Sequence, residues 1–190
     1  MNKFPILLFA VVLVTGSCTQ TAINSKRVTA PQNANKPATS RNGEKTSLDY
    51  LREGEDLFNA YDFDGAIGPY KQALDLEKKE RKLERERWIT LVNDLATVYG
   101  LTDDLKRSRE VLDYGIEQEP TYPMFYYLKA CSYGLKNDET NALKNLRLAY
   151  QHKENKLKNE SLPDPATDNS FKTLMERKNF EKAVAEMKRN

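Results

Sequence analysis

Residues 96–115 read ATVYGLTDDLKRSREVLDYG, and residues 130–149 read ACSYGLKNDETNALKNLRLA. The two segments align without a gap, have a small residue at the first position and again twelve residues later, and begin 34 residues apart. Residues 54–73, GEDLFNAYDFDGAIGPYKQA, follow the same spacing and begin 42 residues before the second copy. Because polar turn residues lie in the middle of each copy, the pattern predicts three pairs of helices joined by tight turns.

The small residues explain how the two helices of a pair would pack. Helix axes reach the short end of the range of about 8–10 Å only where the side chains between them are small. Larger apolar residues one turn away then fill the space on either side. The residues assigned to this packing are Gly54, Ala66, Ala73, Ala96, Tyr99, Ser108, Ala130, Tyr133, Ala142 and Ala149.

This spacing resembles the tetratricopeptide repeat, whose period is about 34 residues. The resemblance covers residues 47–152 and implies an all-α fold, a short α-solenoid of three helix-turn-helix repeats at about 47–86, 87–121 and 122–152. Residues 153–190 are expected to form a linker and a C-terminal helical cap, because the end of a solenoid needs an element with one polar face. A generic helical bundle is the alternative.

The first two copies are separated by eight more residues than the period, and the surplus coincides with residues 76–87, LEKKERKLERER. Opposite charges four residues apart favour a helix. The sequence therefore predicts one helix that extends beyond the repeats. Its alternating signs indicate a solvated face rather than a nucleic-acid or coiled-coil site.

The first eighteen residues have the layout of a secretory signal. Lys3 precedes an apolar run at residues 4–14, and the small residues 15–17 precede Cys18. Eleven apolar residues would form a helix of about 17 Å, which is short of a hydrocarbon core of about 30 Å. Residues 1–17 are therefore predicted to be a signal peptide that is removed.

Small residues followed by a cysteine are similar to the lipobox of bacterial lipoproteins, with Thr15 where that family usually has leucine. The resemblance implies that Cys18 is lipidated and becomes the mature N-terminus; an ordinary secretory signal is the alternative. Residues 18–46 contain no aromatic residue and are rich in polar residues and proline, which predicts a disordered tether. We expect an exported protein anchored in a bacterial membrane, preferably the outer membrane because Thr19 is not an aspartate retention signal, with its domain facing the periplasm or the cell exterior.

The composition and motifs argue against several classes of function. Charged residues make up 31% of the chain but the net charge is +2, whereas nucleic acid needs a concentrated basic face. The single histidine, His152, gives no metal-ligand spacing, and the common catalytic motifs do not occur. We expect no metal, no cofactor and no catalytic residue. Cys131 is interpreted as a small buried residue, and Asp103 and Asp104 as helix-capping residues.

In the tetratricopeptide family, the first helix of each repeat lines a concave groove. The hypothesis is that this groove binds a peptide, with Tyr127 as an aromatic anchor; the alternative is that these are merely solvent-facing residues. The positions concerned are Arg52, Glu55, Asn59, Asn93, Thr97, Tyr127 and Cys131.

The predicted function is a membrane-anchored interaction scaffold or adaptor of the bacterial cell envelope, not an enzyme. Its expected partner is an envelope protein or peptide rather than nucleic acid, and the sequence leaves the oligomeric state open. The alternatives are a cell-wall-modifying enzyme, which would need an enclosed cleft, and an envelope chaperone for lipids or small molecules, which would need an apolar cavity.

Overall fold

The computed structural model describes residues 43–189, which form helices and connecting segments without a strand in that range. The prediction of an all-α fold is confirmed. The predicted signal peptide, Cys18 and the tether up to residue 42 lie outside the described residues. The helices are α1 Ser47–Asn59, α2 Phe63–Lys79, α3 Arg85–Leu101, α4 Leu105–Gln118, α5 Pro123–Gly134, α6 Glu139–Gln151, α7 Lys172–Met175 and α8 Lys178–Arg189.

Each of the first three helix pairs is closed by the same type of turn. The aspartate that precedes the second helix is its N-cap, and its carboxylate accepts a hydrogen bond from the backbone N–H three residues later. This satisfies a donor that the helix start leaves without a partner. The capping aspartates are Asp62, Asp104 and Asp138.

The helices pack in chain order from α1 to α6, and α3 also contacts α5. Two of the small positions show how close the paired helices come. A Cβ placed on Gly54 would lie 2.5 Å from the ring of Tyr70, and the hydroxyl of Ser108 donates a 2.8 Å hydrogen bond to the carbonyl of Ala96. Of the ten assigned packing residues, nine are buried, and Tyr133 is half-buried beneath the guanidinium of Arg109.

The prediction of one extended helix over residues 76–87 is wrong. Helix α2 ends at Lys79 and α3 begins at Arg85, so the surplus residues lengthen both helices and form a loop between them. The cause is Glu77, which is 3% exposed and accepts backbone hydrogen bonds of 3.0 Å from Lys82 and Leu83. The burial of Leu83 and the hydrogen bonds to the Glu77 carboxylate stabilise this loop more than the local charge pattern stabilises a helix.

The chain after α6 first forms a segment without helix and then helical segments that pack against the rest of the domain. Residues 156–168 are not helical, and the helical segments that follow contact α5 and α6. Phe171, Leu174, Phe180 and Val184 are all buried in the core. Between residues 43 and 189, no helix combines the length and the apolar character that crossing a bilayer requires.

Candidate functional site

The candidate site is the surface formed by the first helix of each pair, which we call the inner face. Helices α3 and α5 contact each other on this face, and the ion pair between Glu55 and Arg87 links it to α1 at 3.2 Å. On α3, Thr90, Asn93 and Thr97 are partly exposed.

Residues 156–168, which we call the strap, lie along α5 on the inner face. Near the start of α5, the hydroxyl of Tyr122 donates a 2.6 Å hydrogen bond to Glu160. Further along, the hydroxyl of Tyr127 donates a 2.9 Å hydrogen bond to Asp168. Just past the strap, the carbonyl oxygen of Ser170 lies 2.5 Å from where a Cβ on Gly134 would be. The strap therefore follows α5 from its N-terminal to its C-terminal end, and Gly134 allows the close approach.

The tyrosines that hold the strap act as neutral hydrogen-bond donors. Burial, reinforced by the neighbouring carboxylates Glu160 and Asp168, raises the pKa of both Tyr122 and Tyr127. Each hydroxyl therefore stays protonated and donates a hydrogen bond to a carboxylate. Hydrogen bonds to an ionised acceptor are stronger than neutral ones, so two of them can hold a segment that has no helix of its own.

The strap also contributes apolar contacts. Pro165 is buried, and Leu157 and Leu162 are half-buried against the core. Its second proline, Pro163, is half-buried as well. Apolar side-chain anchors and a few polar bonds are also how a groove binds a peptide, although the strap itself contains turns at residues 158–159 and 165–167.

The expectation that Tyr127 and Cys131 are open positions of a groove is wrong. Their exposed fractions are 1% and 2%, because the strap and the turn after it cover them. The thiol of Cys131 lies 3.7 Å from the same Asp168 oxygen that accepts from Tyr127, and burial raises its pKa well above the usual value. The interpretation of Cys131 as a small buried residue is confirmed.

The other predicted groove positions remain accessible. Asn93 and Thr97 on α3 are half-buried, as are Arg52 and Glu55 on α1, and Asn59 at the end of α1 is exposed. The structure thus separates the seven positions into an open part on α1 and α3 and a covered part on α5.

Asn93 lies at the boundary between these two parts. Its amide nitrogen donates a 3.0 Å hydrogen bond to the Tyr122 hydroxyl, which in turn donates to Glu160 of the strap. The carboxamide oxygen of Asn93 is buried and has no hydrogen-bond partner among residues 43–189. This unused acceptor lies next to the strap and is enclosed by the protein.

Asp94 is a half-buried acid beside the open part. It accepts a 3.2 Å hydrogen bond from the Tyr70 hydroxyl, and no cation pairs with it among residues 43–189. Burial, together with the nearby charge of Glu55, raises the pKa of Asp94 to about 7, although the Tyr70 bond opposes the shift. Burial also raises the pKa of Glu55, which Arg87 partly offsets. Perturbed acids of this kind are concentrated at functional sites.

Sequence reasoning missed four residues of this site. Glu160 carries no local signal, and the local sequence around Asp168 indicates only a helix cap, since their tyrosine partners lie 38 and 41 residues away. Tyr70 lies within the first copy of the repeat, whose spacing gives no role to its hydroxyl. Asp94 had a usable signal, because it is an acid in the otherwise mostly apolar stretch WITLVNDLATVYGL at residues 88–101.

Within residues 43–189, no group of three His, Cys, Asp or Glu side chains has the arrangement of a metal site. A depression between α3, α4 and α5, beside Thr97 and Leu128, encloses about 10 Å³, room for roughly one water. His152 stacks on the ring of Tyr126 at 5.8 Å.

Similarity to known proteins gives no assignment: no protein-family model matches the chain, and no curated protein matches it.

Proposed function

We propose that this chain is a tetratricopeptide-type α-solenoid that binds an extended segment of a partner protein on its inner face. The proposal includes the anchoring inferred from the sequence: a lipid on Cys18 and a tether that holds the domain near a bacterial membrane. The protein would act there as a scaffold or adaptor of the cell envelope.

The observation that carries the proposal is the strap. A non-helical, proline-containing stretch of the chain already lies on α5, held by hydrogen bonds from Tyr122 and Tyr127 to carboxylates. The inner face therefore has the donors and apolar contacts that hold a polypeptide without regular structure. A partner segment would bind on α1 and α3, where Glu55, Asn93 and Thr97 remain partly accessible.

The open part offers mainly acceptors to such a ligand. These are the carboxylates of Glu55 and Asp94 and the hydroxyl of Thr97. Backbone N–H groups or a basic side chain of the ligand would satisfy them. Binding would then also stabilise Asp94 in its ionised form, since a nearby donor or cation lowers the pKa of an acid.

A peptide-display selection tests this proposal. The full chain is used to select extended dodecapeptides, and the enriched peptides are measured by fluorescence anisotropy against the Glu55→Ala, Asn93→Ala, Thr97→Ala triple variant. We expect at least tenfold weaker binding to the variant, which corresponds to about 1.4 kcal/mol.

The matched control is a triple alanine variant at Lys71, Gln72 and Asp75, which are exposed on α2. It should bind the peptides as the unmodified chain does. Equal binding to the inner-face variant, or a selection that enriches no peptide, would reject the proposal.

A further inference from the structure

The three hairpin turns have one backbone geometry, but they differ at its strained position. Tyr61, Asp103 and Asn137 have φ angles of 61°, 61° and 57°, and each directly precedes a capping aspartate. Each also donates its backbone N–H to the carbonyl three residues earlier. Asn and Asp tolerate this left-handed conformation, whereas a bulky side chain there is an outlier. The first turn thus carries strain that the other two avoid.

Burial does not offset the strain at Tyr61. Its side chain is 82% exposed, and no other large hydrophobic residue within residues 43–189 is exposed. It meets Phe63 edge-on at 6.1 Å, and Phe63 meets Phe58 at 5.5 Å. We call Phe58, Tyr61 and Phe63 the aromatic tip. A strained residue that the fold does not bury points to a role outside the fold.

The surroundings of the aromatic tip are acidic. No lysine or arginine occurs between Arg52 and Lys71 in the sequence. Asp56, Asp62 and Asp64 are exposed, and none of them forms an ion pair with a residue in the range 43–189. The tip therefore presents apolar rings within a negative rim.

The other two turns are electrostatically different. Lys136, in the third turn, pairs with Asp103 of the second turn at 3.5 Å. Lys106 and Arg107 follow the second turn directly. Both turns therefore mix charges of opposite sign, and the negative rim is a property of the first turn.

We infer that the aromatic tip is a docking surface for a partner protein that presents an apolar socket rimmed by lysine and arginine. An exposed tyrosine supported by two further rings is the type of anchor that dominates protein interfaces. The acidic rim would steer a basic partner and set the orientation of binding. The same rim repels anionic lipid headgroups, which disfavours a membrane surface. This surface is separate from the inner face and does not rest on the proposed peptide binding.

Site-specific photocrosslinking tests the inference. The full chain is produced in its own cells with p-benzoylphenylalanine in place of Tyr61 or, as the matched control, of Asn137, which has the same turn geometry. We expect an adduct with another protein at position 61, in at least tenfold higher yield than at position 137. Mass spectrometry of the adduct should place the crosslinked segment beside lysine or arginine residues.

Charge reversal provides the second readout. Asp64→Lys should reduce the adduct at least tenfold, whereas Asp75→Lys, on an exposed part of α2, should leave it unchanged. The inference is overturned by an adduct with phospholipid or with a second copy of this chain, by equal adducts at both positions, by an adduct that survives Asp64→Lys, or by no adduct. Thermal unfolding checks that each variant is folded at the growth temperature, because a bulky residue at position 137 lowers stability by itself.

Discussion

The hydroxyl of Tyr127 donates a 2.9 Å hydrogen bond to Asp168, and the thiol of Cys131 lies 3.7 Å from the same carboxylate oxygen. One acid, outside the repeats, thereby satisfies two buried groups on α5. Asp168 also accepts from the backbone N–H of Ser170 and so starts the turn that leads to Phe171. This arrangement makes Asp168 the point at which the strap is fixed to the domain.

Asp168→Ala should loosen the strap. The substitution leaves the Tyr127 hydroxyl without its acceptor, which lowers the free energy of unfolding by about 1–3 kcal/mol. In a Cys18→Ala background, where Cys131 is the remaining cysteine, its reaction with a thiol reagent should accelerate at least tenfold. Lys158→Ala, at an exposed strap position, is the control and should change neither quantity. An unchanged thiol rate in Asp168→Ala would show that the strap is held by other contacts.

Asp94→Asn should change how stability depends on pH. The pKa of Asp94 is about 7 in the folded chain and about 3.8 when unfolded, so the unmodified protein loses stability as pH rises through this range. Asparagine removes the loss, which is at most about 4 kcal/mol. Urea unfolding should therefore show the variant more stable than the unmodified chain at pH 8 and similar to it at pH 4. The groups facing this acid are Tyr70 and Glu55, and exposed Asp75→Asn serves as control; an equal difference at both pH values would contradict the prediction.

Two glycines of the first helix pair should respond differently to alanine. At Gly54 the new Cβ would lie 2.5 Å from the Tyr70 ring, and overpacking of this kind costs about 1–3 kcal/mol. At Gly68, within α2, the new Cβ would meet no residue within 4 Å other than its chain neighbours, but Pro69 follows it, and the proline ring disfavours a helical residue with a Cβ before it. The gain of about 0.5–1 kcal/mol from replacing a helical glycine is therefore largely cancelled, and Gly68→Ala should leave stability nearly unchanged. Thermal unfolding of the two variants measures both effects. The close packing of α1 on α2 would be in doubt if Gly54→Ala were neutral.

Substitutions at two of the strained turn positions should show whether the fold needs Tyr61. Tyr61→Asn relieves a conformation that costs a bulky residue about 1–2 kcal/mol, although it loses the edge-on contact with Phe63. The free energy of unfolding should stay the same or rise by about 1 kcal/mol. The reverse change, Asn137→Tyr, should lower it by about 1 kcal/mol. A marked loss of stability in Tyr61→Asn would mean that the tyrosine serves the fold.

Cys18→Ala should abolish lipid attachment. The unmodified chain, grown with a labelled fatty acid, is expected to incorporate the label and to fractionate with membranes. The variant should incorporate none and appear in the soluble fraction. Label in both chains, or in neither, would remove the lipid anchor from the proposed function while leaving the binding surfaces untouched.

The helix pairs could be predicted because their signals are local. The small residues at Gly54 and Ala66 are twelve positions apart, and the two later copies keep this interval. Turn residues and capping aspartates lie within a few residues of the helix that they start. The sequence missed the loop after Lys79, since it depends on Glu77, whose carboxylate is buried and bonds to the chain five and six residues later.

The inner face could be predicted only in part, because its final state depends on a segment far away in the chain. Repeat spacing indicated Asn93 and Thr97 as accessible positions, and they are half-buried. The same reasoning assigned Tyr127 to an open groove. No local pattern reveals that Asp168 will return to cover it.

By itself, the sequence determined that the chain forms helices in pairs, where they turn and which small residues lie between them, because helix periodicity and capping act over a few residues. Only the tertiary structure decided which part of the inner face is open. That outcome depends on Tyr122 and Tyr127 finding carboxylates 38 and 41 residues away, and on burial, which raises the pKa of Asp94 only after three helices have packed around it.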